Sequence, residues 1–361
     1  MEQFLSDTDI QSLIDQKSIV GGKVYLPAGE YTIHQPLVLD TPSSVLEGEV
    51  WACNVDPNGV FESPYGTKLK LKGRNFPAIV VGKTKVLSGT MIKNIGIQGD
   101  IEGMDTRGLF DINNVSSSAG IFFENMRVDQ AEFSKISCCG LGVAICAKGD
   151  CFVDACTFEK INTDGCCIGV YFAPNVAVFT HFRQFIVADT PSYGFFFDGT
   201  GRAIKGVDIS DMVLVRNCGS SPIVDEEPAA VYFKNVSNCI FRDNFVAETG
   251  AFWYYSSDAT RNEDRQISAN KAIGLKIVGN QNKVINNNFS HSSRESISIE
   301  GNGNVIMNNT VDGDVIIKGN GNVVHNLVFT KKESRLILIG DATLTSEIFG
   351  VAEERIVKRS F

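Results

Sequence analysis

FSKISCCG, Phe133 to Gly140, is written again twenty-five residues on as FEKINTDG, Phe158 to Gly165, with Phe, Lys, Ile and Gly at the same four places. IKNIGIQG, Ile92 to Gly99, and MVLVRNCG, Met212 to Gly219, keep the shape: apolar, two variable, apolar, three polar or small, Gly. A looser copy runs from Phe182 into Ala188 and Asp189. The copies recur at roughly 25 to 30 residues, a period at which one supersecondary unit cannot bury its own apolar face and must stack on its neighbours. Alternating β-branched and aromatic residues punctuated by Gly and Asn make the unit strand and turn, not helix. The fold expected is all-β: a single-stranded right-handed parallel β-helix of about ten or eleven coils. Phe133, Phe158, Phe182 and Met212 should form one interior column, and Ile136, Ile161, Phe185 and Val215 the next. A leucine-rich horseshoe would need the LxxLxL signature, which is absent, and a propeller needs four strands per roughly 40 residues.

The chain has 361 residues, 43% hydrophobic, and a formal charge of -9. That charge disfavours nucleic acid and anionic membrane surfaces, which need basic patches. No apolar run approaches a membrane span. The opening MEQFLSDTDIQSLIDQ is acidic and amphipathic, without the basic and apolar regions of a secretory signal, so a cytoplasmic protein is expected. Ten cysteines show neither disulfide nor zinc spacing and read as small interior hydrophobes of a reduced protein. No metal or cofactor is expected.

The whole of 1–361 reads as one β-helix domain. Residues 1–20 form an N-terminal cap, with a short helix over 5–16 placing Leu5, Ile10, Leu13 and Ile14 on one face and Ser6 or Asp7 at its start. Segments 48–68, 100–119 and 248–270 are inserted loops, and 330–361 supplies closing strands and a cap. After Gly274 the rungs shorten to GNQNKVINNNF, GNGNVIMNNTV and GNGNVVHNLVF, where Asn287, Asn308 and Asn326 are expected to stack as an amide ladder.

Gly21 to Ile33, GGKVYLPAGEYTI, after a short helix, resembles the opening of the pectate-lyase-like β-helix superfamily, and the likeness extends over about residues 18 to 345. Asn162-Thr163-Asp164-Gly165 matches the NTDG motif of polygalacturonases, whose paired DD, GHG and RIK motifs are absent here. The PAGEYTIH opening and the closing GNGNVVHNLVF resemble inulin fructotransferases and difructose anhydride hydrolases. That resemblance implies a homotrimer with active sites between subunits and a carboxylate pair that cleaves a fructosyl linkage. The rungs around Cys156 and Gly169 carry no acids at the places where that pair would stand.

His34, His181, His291 and His325 form no metal or triad motif, and no nucleophile elbow, P-loop or dinucleotide fingerprint occurs. The candidate chemistry therefore lies in carboxylates. Asp164 and Asp189, at the repeat's terminal turn, should be near neighbours on adjacent coils, with Glu159 as a third acid. His181 and Arg183, two apart on a strand, point the same way and would bind substrate. Trp253, Tyr254 and Tyr255, beside Asp258, Glu263 and Asp264, suit either sugar stacking or a subunit interface. The functions compatible with this pattern are cleavage of a glycosidic bond in an oligosaccharide or cyclic disaccharide, elimination or epimerisation of a uronate, and a non-enzymatic binding or structural β-helix.

Overall fold

A computed structural model describes residues 5–18, 21–51, 66–100, 118–211, 213–216, 218–219, 226–250, 271–346 and 348–360. Most of residues 48–68, 100–119 and 248–270, expected as loops, lies outside these, and with them Trp253, Tyr254, Tyr255, Asp258, Glu263 and Asp264.

The repeat that opens the sequence shows how one coil is built. Strand Glu132–Cys139 carries FSKISCC, bends at Lys135 and ends at Gly140. Lys135 and Gly140 both have positive φ, 52° and 62°, and mark the corners. The next coil repeats this with Lys160 and Gly165 in strand Thr157–Asp164 and its end. Each coil thus has two short faces, before and after the Lys-type corner, and a long face such as Ile168–Val178. Successive coils pair in parallel on every face. On the long face twelve described strands follow one another, from Leu37–Leu39 to Ile356–Arg359.

The core lies inside the coil. Phe133, Phe158 and Phe182 stack with ring centroids 4.7 and 4.8 Å apart, the spacing of neighbouring strands. The column continues through Ile209, Phe241 and Val284. Met212, expected in this column, lies outside the described residues, and its place opposite Phe182 belongs to Ile209. Val215 likewise pairs with Val187 and not in the Phe185 position. The coil step is 27 residues at Phe182–Ile209, not the 30 that Met212 would require, and a corner one residue longer between Ser210 and Leu214 than between Arg183 and Ile186 raises it to 28 at Val187–Val215.

Nine described cysteines are buried and free. Burial in apolar surroundings pushes the Cys151, Cys156, Cys166, Cys218 and Cys239 thiols up to about 12.

The shortened rungs carry amide ladders. The register sets Met307 beside Ile285 and His325, so Asn286, Asn308 and Asn326 share the outer corner, each with positive φ. Asn326 Nδ2 donates to Asn308 Oδ1 at 3.0 Å. Asn287 sits one place further, inside the coil, where its Nδ2 donates to Asn309 Oδ1 at 3.0 Å and its Oδ1 accepts the Asn244 amide. Asn282, Asn304 and Asn322 form a second interior ladder.

Helix Asp7–Ser18 closes the first coil. Ser6 caps it: its Oγ accepts the Asp9 amide, and Asp9 Oδ2 accepts the Ser6 amide and hydroxyl. Ile10 and Ile14 are buried against the core. Gln11 stands in for the missing preceding strand, its Oε1 accepting the Val38 amide at 2.7 Å and its Nε2 donating to the Val38 carbonyl at 3.2 Å. Among the described residues no helix is long and apolar enough to cross a membrane.

Candidate active site

The outward side chains of the two short faces form columns that run along the stack. On the first face, Thr157, His181 and Asp208 are successive partners, and beside them Glu159, Arg183 and Ser210. Arg242 and Asp243 follow on the next coil, Asp243 at the positive-φ corner that Asp211 holds one coil earlier. Alternation on a strand turns positions 181, 183, 208 and 210 outward while Phe182 and Ile209 fill the core.

These columns converge on Asp208, which is only 8% exposed. Its Oδ2 accepts from Arg242 Nη2 at 3.1 Å and lies 3.7 Å from His181 Nδ1. Its Oδ1 is buried and, among the described residues, has no hydrogen-bond partner. Arg242 also reaches Ser210 Oγ at 3.4 Å, Asp211 at 3.7 Å and Asp243 at 3.2 Å. The bond to Asp208 raises the Arg242 guanidinium above its ordinary value; burial opposes this, and Asp211 and Asp243 add to it. Arg183 Nε stands 3.7 Å from Asp211. Glu159, beside Arg183, is half exposed and lies 3.5 Å from Lys160. The patch therefore presents four carboxylates held by Arg183, Arg242, His181 and Lys160.

The second short face supplies an apolar border. Ile186, Leu214 and Phe245 pair in succession, with Ile186 47% and Phe245 36% exposed. A depression of about 500 Å³ opens there, lined by Val213, Leu214, Asp243, Asn244, Phe245 and Asn286. Asp243 belongs to both the depression and the charged patch. Carboxylates beside an apolar wall suit a ligand with hydroxyls on its edge and C–H groups on its face.

The structure thus groups His181, Arg183 and Glu159. Asp164 and Asp189 are not partners in one column. Asp164 pairs with Ala188, and the Gly165 amide bonds the Ala188 carbonyl. Asp189 takes the positive-φ corner that Gly140 and Gly165 fill in preceding coils and is 6% exposed. Asp208, Asp211, Arg242 and Asp243 were not singled out from sequence. Their signal is faint: Asp208 and Arg242 each follow a core residue, Val207 and Phe241, and Asp211 and Asp243 take the corners after them, in coils whose length breaks the repeat.

No protein-family model and no curated protein matches the chain. Solved structures do. DFA-IIIase from Arthrobacter chlorophenolicus A6 in complex with GF2 is similar at a TM-score of 0.66 and 13% identity, over 96% of this chain and 90% of that one. The same enzyme without its lid gives 0.68 and 14%, over 98% and 94%. Geobacillus virus E2 ORF18 gives 0.51 and 13%, over 94% of this chain and 58% of that one. The fold is the right-handed parallel β-helix. In a β-helix the coil path places neighbouring coils' side chains in rows, so residues distant in sequence meet as they do around Asp208. At 13–14% identity the likeness is one of fold, and the residues of the patch have to make the case for chemistry.

Proposed function

We propose that this β-helix is a carbohydrate-active enzyme that cleaves or rearranges a glycosidic bond of a neutral oligosaccharide or cyclic disaccharide by carboxylate acid–base catalysis. The single observation that carries the reading is the buried Asp208 carboxylate, one oxygen held by Arg242 and the other without a partner among the described residues, beside an exposed apolar wall. The similar DFA-IIIase structures, one holding GF2 and another DFA-III, favour a fructan or other furanoside as substrate. A homotrimer accompanies this reading.

Asp208 acts as the base that activates water and Glu159, a partly exposed acid of the patch, as the proton donor to the leaving oxygen. They stand two coils apart, roughly 9–10 Å along the stack, and two residues apart along the strand, roughly 6–7 Å, so their side chains have to converge over the patch to reach the wider carboxylate separation of single-displacement glycosidases. His181 and Arg183, on the coil between, hold sugar hydroxyls. Asp164 and Asp189 remain candidates for the acid role from the flanking rungs.

The test is turnover of neutral fructans, arabinans and cyclic difructose against uronate polymers, with and without EDTA, for wild type and for Asp208→Asn, Glu159→Gln, Asp164→Asn and Asp189→Asn. A loss of at least about 100-fold in Asp208→Asn and Glu159→Gln, with the melting midpoint held, is expected. Full activity in both removes the assignment, and activity confined to uronates replaces hydrolysis with elimination or epimerisation.

A further inference from the structure

The outward side of a solenoid's strands is ordinarily polar. On the long face around Ile168–Val178, Tyr193–Asp198 and Ala229–Ser237 it is aromatic. Tyr171, Phe196 and Tyr232 are successive partners there, and Tyr193 lies in the adjoining column. Phe196 stacks on Tyr232 at 5.3 Å, and Tyr193 stands 4.9 Å from Phe196 and 6.3 Å from Tyr232. These are different strands from those of the Asp208 patch, on a different face of the coil.

Glu226 enters this aromatic group. Its Oε2 accepts from Tyr232 Oη at 3.2 Å and its Oε1 from Lys234 Nζ at 2.6 Å. Glu227 accepts from Lys276 at 2.5 Å and from Arg294 at 3.4 Å, and Lys276 Nζ stands 4.9 Å over the Tyr232 ring. Each carboxylate thus has its own cation. Tyr193 is the exception: it is fully buried and, among the described residues, its hydroxyl has no hydrogen-bond partner. Burial foremost, then the nearby Glu226 and Tyr232, keep this phenol protonated. A buried donor left unpaired carries a desolvation cost and points to a partner supplied from outside the chain. Glu226 and Lys234, about a quarter exposed, offer the approach.

We propose that Tyr193, Tyr232 and Glu226 form a second saccharide site, on the long face and separate from the acid patch. The ligand is a neutral sugar presenting adjacent hydroxyls. Tyr193 donates to one sugar oxygen, and the Glu226 carboxylate accepts from its neighbour. Glu226 is paired with Lys234 and Glu227 with Lys276, and Asp198 adds negative charge beside Tyr232 and Lys234, so the site favours a neutral sugar over an anionic one. The ligand class rests on the carbohydrate reading given above.

The experiment silences the acid patch with Asp208→Asn and titrates the protein calorimetrically with neutral fructan and arabinan tri- and tetrasaccharides, and with uronate oligomers of equal length. Binding of a neutral series is expected, weakened about tenfold by Tyr193→Phe and at least as much by Glu226→Gln. Tyr193→Phe keeps the ring and removes only an unpartnered group, so its melting midpoint should hold or rise, which separates lost recognition from lost structure. Unchanged affinity in both variants, no binding of any neutral saccharide, or preference for the uronates overturns the proposal. Turnover in Asp208→Asn judges the acid patch, and these affinities judge the long face.

Discussion

Asp208 and Asp312 show what a coil does to a single carboxylate. Both are nearly buried, and both depend on a cation from a neighbouring coil. Asp312 accepts the Ser292 amide at 3.0 Å and pairs with Lys331 at 3.0 Å. Burial disfavours its charge most strongly among single effects, but Lys331 and Ser292 together outweigh it and hold the carboxyl below its ordinary value. A depressed folded-state value contributes stability that is complete above the unfolded value, about 3.9, and is lost as pH falls through the folded one. Asp312→Asn should therefore lower the melting midpoint at pH 7, and the gap to wild type should close as pH falls below about 4. Thermal scans across pH 2–7 check this, and a gap that stays constant would show that Asp312 contributes through shape and not through charge. Asp208 differs in that one oxygen has no partner among the described residues, which is why it, and not Asp312, is the candidate for chemistry.

At the scale of the element, the ends and corners of strands decide stability. Strand residues satisfy one another along the stack, but corner amides have no automatic partner. The interior Asn ladders meet that need. Asn287 donates to the Phe241 carbonyl and to Asn309, and accepts from the Asn244 amide. Asn287→Ala should cost about 2–4 kcal/mol, since it leaves buried groups on two neighbouring coils unpaired. Urea unfolding measures it, and a loss below about 0.5 kcal/mol would mean that water enters and replaces the amide. The outer Asn308–Asn326 pair is exposed, so the same change there should cost far less. The N-terminal helix applies the same rule to the end of the stack, where Gln11 satisfies both polar groups of Val38 that a further coil would otherwise have bonded.

For the molecule as a whole, two expectations follow from burial. Nine of the ten cysteines are described, and all nine are buried and free. The nine described thiols of the native protein should react very slowly with a thiol reagent at pH 8, because burial pushes thiols such as Cys151 and Cys239 up to about 12 and excludes the reagent. Denatured protein should release about ten thiols. A fast native reaction of more than one thiol would require coil opening. The second expectation is assembly. Phe179 is 68% exposed at a positive-φ corner, a place that Gly206 fills on the next coil. Holding an aromatic there costs about 1–2 kcal/mol of backbone strain with no burial to offset it in a single chain. Light scattering should find a species above 39.3 kDa, three chains by the proposed reading. Phe179→Gly should shift it toward the monomer, and a monomer in the wild type excludes the trimer.

The period of FSKISCCG and its copies determined the fold, because stacking demands that each coil present Phe and Ile inward at the same place, and local spacing records that demand directly. The N-terminal helix was legible for the same kind of reason, since Ser6 with Asp9 and the Ile10–Ile14 spacing act within one turn or two. Register across coils was not legible wherever a corner changed length. The coil step is 27 residues at Ile209 and 28 from Leu214 on, so Ile209 holds the place expected of Met212. One position separates Asp189 from the Asp164 row, and one separates Asn287 from Asn308. Because side chains alternate in and out along a strand, each single-residue offset decides whether a polar group faces solvent, a corner or the core. His181 and Arg183 could be found because they lie two apart on one strand. Their partners Asp208, Asp211 and Arg242 come from later coils, and only the tertiary register brought them within hydrogen-bonding and ion-pairing reach.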